Sequence, residues 1–345
     1  MEAPPMEERG KGMGGRGIGP RRGSIVTRAG GPRARIRAWR GKPRSRSLRS
    51  MSNRLLLVDG HAYAYRAFYA IRSLNAPDGS PTNAVFGFVK MLQKMEASLK
   101  PTHRLVLWDA GLAEERLAAL PGYKADRPPT PDDLVSQFPR MEAWLDAAGW
   151  AQLQIEGTEA DDWIGTYAKR SSAAGWSTVI ASSDKDFLQL VDERVGILNP
   201  NDKTERIWGA ADVEAKTGVQ PAQVVDWLAL VGDAVDAIPG VSGVGPKTAA
   251  DLLKRYGSID ALLPRVPEIK ADRLRTELMA ATDLLRRNQG MVRLNCGLEG
   301  GPVLESLASR DPDTAKLREL YRTFGFKSLH AELGGDAGVV QGELL

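Results

Sequence analysis

Short, nearly unbroken apolar runs that close on an acid recur along the first two thirds of the chain. Residues 55–58 (LLLV) lead into Asp59, residues 104–108 (RLVLW) into Asp109, and residues 178–181 (TVIA) towards Asp184. Runs this short, without polar alternation, predict strands covered on both faces, as in a parallel sheet. Between them Val85, Phe88, Val89, Leu92 and Met95 recur at helical spacing, as do Leu134, Phe138, Met141 and Leu145. Residues 195–198 and 206–208 predict a hairpin around Asn201 and Asp202. From Met51 to about Trp208 the two patterns alternate, which predicts an α/β fold with a doubly wound, mostly parallel sheet. After Val219 the strand pattern stops and helices dominate. The expected organisation is a sheet domain over 51–218, a helical subdomain over 219–335 packed on it, and a frayed tail over 336–345.

Composition changes this picture mainly at the N-terminus. Residues 1–50 are rich in Gly, Pro, Arg and Ser without a period of 2 or 3.6, so no core is expected there. Three readings stand side by side for this stretch: a translation start at Met51, a disordered basic arm that adds non-specific nucleic-acid affinity, and an Arg-rich targeting peptide. The whole chain carries a net charge of +4, but residues 1–50 hold 14 Lys and Arg against 3 acids, leaving 33 against 40 in the remainder. The folded part is therefore mildly acidic, and bulk charge gives no argument for nucleic-acid binding. The single Cys296 excludes an internal disulfide framework and makes a reducing, cytoplasmic compartment the expectation. No apolar run reaches the ~18 residues that would suggest a membrane-spanning helix.

The candidate chemistry lies in the acids. Asp59, Asp109, Glu159, Asp161, Asp162, Asp184, Asp186, Asp233 and Asp236 fall in five short stretches, three of them at predicted strand ends. Taken singly, each acid has an ordinary reading as a turn residue, a helix cap or a first-turn charge. Taken together at the carboxyl ends of parallel strands, they share the crevice where α/β sheets place ligands. So many carboxylates stay ionised side by side only if cations neutralise them. All-oxygen ligands suit Mg²⁺ or Mn²⁺, and a pair of such ions suits phosphodiester cleavage. Helical geometry puts Glu159 and Asp162 on one face and Asp161 about 200° round from Glu159, so the run is expected to open a helix with Glu159 still in the loop. Glu159 and Asp161 then reach metal directly or through water, with Asp162 acting behind them. Asp184 and Asp186 are expected on one side of an extended end, and Asp233 and Asp236 on one helical face.

Two further stretches bear on a polyanionic partner. In GYKADRPPTPDD, Lys124 and Arg127 project together if the segment is helical, and their place beyond the strand bearing Asp109 favours a phosphate contact over a plain solvated loop. In GVSGVGPKTA, Gly240, Gly243 and Gly245 permit a tight turn with positive φ, Pro246 suits a first helical position, and Lys247 and Thr248 follow. Free N–H groups at such a helix start form an anion site. An ordinary helix–turn–helix corner has the same glycines, so the combination with the carboxylates carries the weight.

With these motifs in place, residues 51 to about 335 resemble the 5′ nuclease family: the 5′→3′ exonuclease domain of bacterial DNA polymerase I, stand-alone relatives, phage 5′ nucleases and flap endonucleases. LLLVDG followed by YRAF, GSPTNAVFGF, YKADRPPTPDDL, TEADDWIG, SSDKDFLQLV and GDAVDAIPGVSGVGPKTA occur in the family's order. The resemblance implies a PIN-like core with a helical arch over residues 112–133 and a helix–three-turn–helix element at the glycine turn, often with bound K⁺. It implies two divalent ions, the first held mainly by Asp59, Asp109, Glu159 and Asp161, the second by Asp184, Asp186 and Asp233, with Asp162 and Asp236 completing the cluster. By the same resemblance Lys124 and Arg127 face the scissile phosphate and Arg66 lies near the active site. Three departures are visible: Ala237 where the bacterial pattern usually has Asn, the unusual His61-Ala62-Tyr63, and an end at Leu345 without room for a polymerase domain.

The implied function is metal-dependent hydrolysis of phosphodiester bonds near 5′ ends of DNA, at flaps and at RNA–DNA junctions, in replication and repair. The expected molecule is a monomer with no membrane association, found with the nucleoid. One rival is a DNA-structure binder without catalysis, which the intact acidic set disfavours. Another is a sheet-domain ribonuclease, which the glycine turn and the long helical half disfavour.

Overall fold

The computed structural model describes the backbone of residues 34–36 and all of residues 53–334. Among the described residues seven strands form one sheet: β1 (Ala34–Ile36), β2 (Arg54–Asp59), β3 (His103–Trp108), β4 (Ala151–Ile155), β5 (Ser177–Ala181), β6 (Val195–Leu198) and β7 (Ile207–Trp208). Their order is β1-β4-β3-β2-β5-β6-β7. Strands β2 to β6 are parallel and the two edges antiparallel. The α/β, doubly wound reading is therefore the observed one, and the hairpin around Asn201 is β6–β7, with Ile197 opposite Trp208.

The unbroken apolar runs have the cause that their composition suggests. Leu55, Leu57, Leu105, Leu107 and Ile180 enter one core with the helix Ala160–Ala173 and the helices of the second half. Leu56, Val58, Val106, Trp108, Val179 and Ala181 enter the other, against the helices Gly60–Ala70, Asn83–Leu99 and Phe138–Ala147. Because period 2 now has two apolar destinations, residues of both parities are apolar along these runs. Each buried Leu contributes roughly 2 kcal/mol. The helix Thr314–Phe324 returns from the second half to this second core, where Trp144 Nε1 donates to Tyr321 Oη at 3.0 Å.

Strand β2 lies between β3 and β5, where the chain order reverses. That reversal opens a crevice beyond the carboxyl ends of β2 and β5. Asp59 closes β2, Asp109 follows β3, and Asp184 lies three residues past β5.

Several sequence expectations need correction. Strand β4 (AQLQI) was not foreseen, because its glutamines break the apolar run. The buried Gln152 accepts from Trp108 Nε1 at 3.3 Å and donates to Asp146 Oδ1 at 2.8 Å. Within the stretch expected to form no structure, Ala34–Ile36 pairs with β4; the rest of residues 1–50 and the tail from 335 lie outside the described residues. The arch region is not continuous helix: it has a helix Glu114–Ala119, turns over 121–126, and a helix Asp132–Val135. Lys124 adopts a φ of 55°, so Lys124 and Arg127 do not share a helical face. Leu134 is separated from Phe138 by a break at Gln137. That side chain is fully buried and accepts from Ala84 N at 2.8 Å and Val85 N at 3.1 Å, capping the helix Asn83–Leu99.

Asp233 and Asp236 are not on a helix either. Asp233 ends the first of two paired segments, Gly232–Asp233 and Ile238–Pro239, and Asp236 lies in the turn between them. A Cβ on Gly240 would stand 2.1 Å from Val231 O, so only glycine allows the chain to cross back this closely. Ala237 completes the turn with a φ of 57°. That left-handed conformation costs a non-glycine residue about 1 kcal/mol, and Asn tolerates it best. Ala237→Asn is therefore expected to stabilise the protein by about 1 kcal/mol, roughly 2 °C in a thermal melt. An unchanged or lowered melting temperature would show that the turn is not under this strain.

Candidate metal centre

Each acid reaches the crevice by a local device. Asp59 is the N-cap of the helix Gly60–Ala70: its Oδ1 accepts from Ala62 N at 2.9 Å, and its Oδ2 from Ser182 Oγ at 3.2 Å. Ser182 Oγ also accepts from Asp184 N at 3.1 Å, so one hydroxyl joins the ends of β2 and β5. Asp109 Oδ1 accepts from Ala160 N at 2.8 Å, at the start of the helix that begins after Glu159. Asp109 N donates to His61 Nδ1 at 3.1 Å, which fixes that ring against Trp108 and Phe138. Asp186 N donates to Asp184 Oδ1 at 2.8 Å, so this pair closes a turn into the short 3₁₀ helix Asp186–Leu190 rather than an extended end.

The acids repel one another. Burial, then Asp109 and Asp184, push Asp59 up to about 7 from an ordinary 3.8. Burial, then Asp184, Asp109 and Asp59, hold Asp161 well above the usual carboxylate range. Asp184 is raised by burial and by Asp236 and Asp233, and Asp186 by burial and by Asp184, Asp233 and Asp236. These influences divide the set into Asp59, Asp109 and Asp161 on one side and Asp186, Asp233 and Asp236 on the other, with Asp184 acting on both.

Glu159 differs, for its carboxylate is fully engaged. Oε1 lies 3.1 Å from Arg116 Nη1 and accepts from Ala113 N at 3.2 Å. Oε2 accepts from Tyr123 Oη at 3.1 Å and from Lys124 Nζ. Burial would raise it, but Lys124 and Arg116 bring it below the ordinary range. Lys124 thus lies against Glu159, and Arg127 Nη2 against Asp236 Oδ1 at 2.5 Å. Both cations expected at the scissile phosphate bridge the arch segment to the acids.

Asp162 lies behind Glu159, in keeping with the helical geometry: Arg116 Nη1 and Nη2 donate to its two oxygens at 3.1 and 2.7 Å, Nη1 also stands 3.1 Å from Glu159 Oε1, and Asn295 N donates to Asp162 Oδ1 at 2.9 Å. Among the described residues, no three His, Cys, Asp or Glu side chains stand close enough to hold one ion as they are. The donor set nevertheless fits hard divalent cations: it is all oxygen, burial and neighbouring carboxylates raise Asp59, Asp161, Asp184 and Asp186, and the buried Asp186 Oδ1 has no hydrogen-bond partner.

Elsewhere, Arg66 is exposed and donates to Asn201 Oδ1 and Pro200 O, both at 2.6 Å, tying its helix to the β6–β7 turn. At the glycine turn only Gly243 has a positive φ, 74°, whereas Gly240 serves the close crossing and Gly245 is an extended N-cap. Pro246 opens the helix Pro246–Tyr256, Gly245 gives no side-chain cap, Lys247 is exposed and Thr248 half-buried. Sequence reasoning missed Ser182, Tyr123 and Arg116; Ser182, within SSDKD, and Tyr123, next to Lys124, had a positional signal, and Arg116 had none.

A family model described as "5'-3' exonuclease, N-terminal resolvase-like domain" matches residues 54–218, and another described as "5'-3' exonuclease, C-terminal SAM fold" matches residues 219–315. A 5'-3' exonuclease of Aquifex aeolicus is 37% identical over 279 residues, 81% of this chain and 94% of that protein. DNA polymerase I of Bacillus subtilis is 35% identical over 82% of this chain, which spans 32% of the polymerase. Among solved structures, zinc-bound T5 5'-exonuclease shares the fold with a TM-score of 0.60 at 22% identity, over 81% of this chain and 98% of that one. The catalytic core of Rad2 with DNA substrate shares it at 0.57 and 13%, over 82% and 92%.

Proposed function

The chain belongs to the 5′-3′ exonuclease family of phosphodiester-hydrolysing nucleases, and from that premise we propose a cutter of 5′ flaps and 5′ ends that works with two divalent ions. The observation that supports it most is the group of buried and half-buried carboxylates beyond the ends of β2, β3 and β5, several of them raised by burial and by one another. Asp59, Asp109, Glu159 and Asp161 would hold one ion and Asp184, Asp186 and Asp233 the other, with Asp236 adjoining and Asp162 acting only through Arg116. When bound, Mg²⁺ or Mn²⁺ supplies an activated water nucleophile and Lewis-acid stabilisation of the leaving oxygen.

The protein side of the chemistry is positioning and charge. Lys124 and Arg127 can leave their carboxylates when a phosphate enters and stabilise the charge that grows on it. His61 holds the backbone of Asp109 in place, and Ser182 aligns Asp59 with the Asp184 backbone. The helix start at Gly245, with Lys247 and Thr248, would grip duplex phosphates, with K⁺ at the same turn. In this proposal 51–218 cuts, 219–335 holds duplex, Arg66 contributes near the 5′ end, RNA–DNA junctions are also substrates, and the protein acts as a monomer at the nucleoid. Among the described residues no helix is long and apolar enough to cross a membrane.

A 5′-labelled flap incubated with Mg²⁺ should yield a short product that chelator suppresses and added Mn²⁺ restores. Binding without any metal-dependent product would reduce the protein to a DNA-structure binder. Lys247→Ala should weaken flap binding and lower the slope of log affinity against log salt by about 1, with the single-turnover rate kept. An unaltered slope would remove Lys247 from the DNA contacts.

A further inference from the structure

Arg116 is the most heavily engaged buried cation beside the acidic group. It lies in the six-residue helix Glu114–Ala119, with its side chain 9% exposed. Its Nε donates to Met291 O at 3.1 Å and its Nη2 to Arg293 O at 3.3 Å, both at the end of the helix Thr282–Val292. The same guanidinium grips Asp162 through two nitrogens and stands 3.1 Å from Glu159 Oε1. One planar group therefore fastens the base of the arch, the helix Ala160–Ala173 and the second half to a single carboxylate oxygen. The other oxygen, Oε2, has Tyr123 and the lone ammonium of Lys124.

We propose that Arg116 is a positioning residue that holds Glu159 Oε1 permanently and so leaves Oε2 as the exchangeable face, shared between Lys124 and a divalent cation. A guanidinium with four other acceptors stays put, whereas Lys124 on its turn can withdraw. Asp162 acts through Arg116: its charge orients the guanidinium without facing the cation itself. The inference rests on the assignment of Glu159 to a cation site.

The sign of one measurement separates orientation from charge. Removing a nearby positive charge should by itself tighten cation binding; loss of orientation should weaken it. Mn²⁺ titrated by electron paramagnetic resonance into the DNA-free protein is the readout, with no turnover involved. Arg116→Met is expected to weaken Mn²⁺ binding about tenfold, the lower end for lost supporting contacts to a ligand, and Arg116→Lys to restore part of it. Asp162→Asn should weaken it in the wild type and have no effect in the Arg116→Met background. Leu329→Ala, destabilised in the far core, serves as the control and should keep wild-type affinity. Equal or tighter Mn²⁺ binding by Arg116→Met overturns the proposal, as does an Asp162→Asn loss of the same size in both backgrounds. Should Arg116→Met not fold, Arg116→Lys with the Asp162→Asn comparison carries the same decision. A wild type that binds no Mn²⁺ refutes the cation site itself, a different failure.

Discussion

Asp59→Asn is expected to abolish flap cutting while making the cation-free protein more stable. The two effects have one origin. Asp59 is almost fully buried beside Asp109 and Asp184, and its carboxyl group is pushed up to about 7 from 3.8. A carboxyl group whose folded value lies above its unfolded value costs stability once it must ionise. The cost is absent below about pH 4, grows as pH rises, and is complete above pH 7, where three units correspond to an upper bound of about 4 kcal/mol. Asparagine removes that charge and still accepts from Ala62 N, so the helix cap survives. Melting in chelator should therefore favour the variant by several degrees at pH 8, and the advantage should shrink towards pH 5. With Mn²⁺ the order reverses, because the wild type gains binding energy that the variant lacks. Flap affinity should persist while the single-turnover rate falls by more than the ~10³-fold typical of one lost transition-state donor. A variant that cuts normally, or gains nothing at pH 8, contradicts the reading of Asp59.

Lys124→Ala is expected to bind Mn²⁺ more tightly and cut more slowly. In the free protein the ammonium lies on Glu159 Oε2, so cation and lysine compete for one oxygen. Without the lysine, Mn²⁺ affinity should rise several-fold. The cation-free fold should lose stability, by less than the ~3–5 kcal/mol of a buried pair broken outright, since Arg116 still faces Oε1. In the reaction the same ammonium is missing where phosphate charge develops, and kcat should drop by about 10²-fold with KM little changed. Titration calorimetry and single-turnover kinetics on one preparation test both halves. Weaker Mn²⁺ binding or an intact kcat would show that Lys124 neither competes nor stabilises.

The sheet was legible because both of its faces are dry: LLLV, RLVLW and TVIA admit few other readings, and an acid closing an apolar run marks a strand end. β4 was hidden because Gln152 is buried yet satisfied by Trp108 and Asp146, a tertiary arrangement without local signature. The helical face assigned to Asp233 and Asp236 failed for a steric reason: Gly240 lets the chain double back at a distance that spacing alone does not express. The acids themselves were found by residue type and position. Of their partners, Lys124 and Arg127 were found but Arg116 was not, since nothing in EERLAA distinguishes the buried Arg116 from the exposed acids beside it. Asp162 was placed behind Glu159 by helical geometry alone, but the guanidinium through which it acts had no signal in the sequence.

The central place of β2 also has a consequence for how the chain emerges from the ribosome. Its two neighbours are β3, from His103, and β5, from Ser177, so its second edge stays open until well over a hundred further residues have been made. At about 5–20 residues per second that delay is on the order of ten seconds. Throughout it, a strand reading Leu-Leu-Leu-Val is exposed to other nascent chains, and chaperone capacity during synthesis, rather than final stability, should limit the yield of this protein.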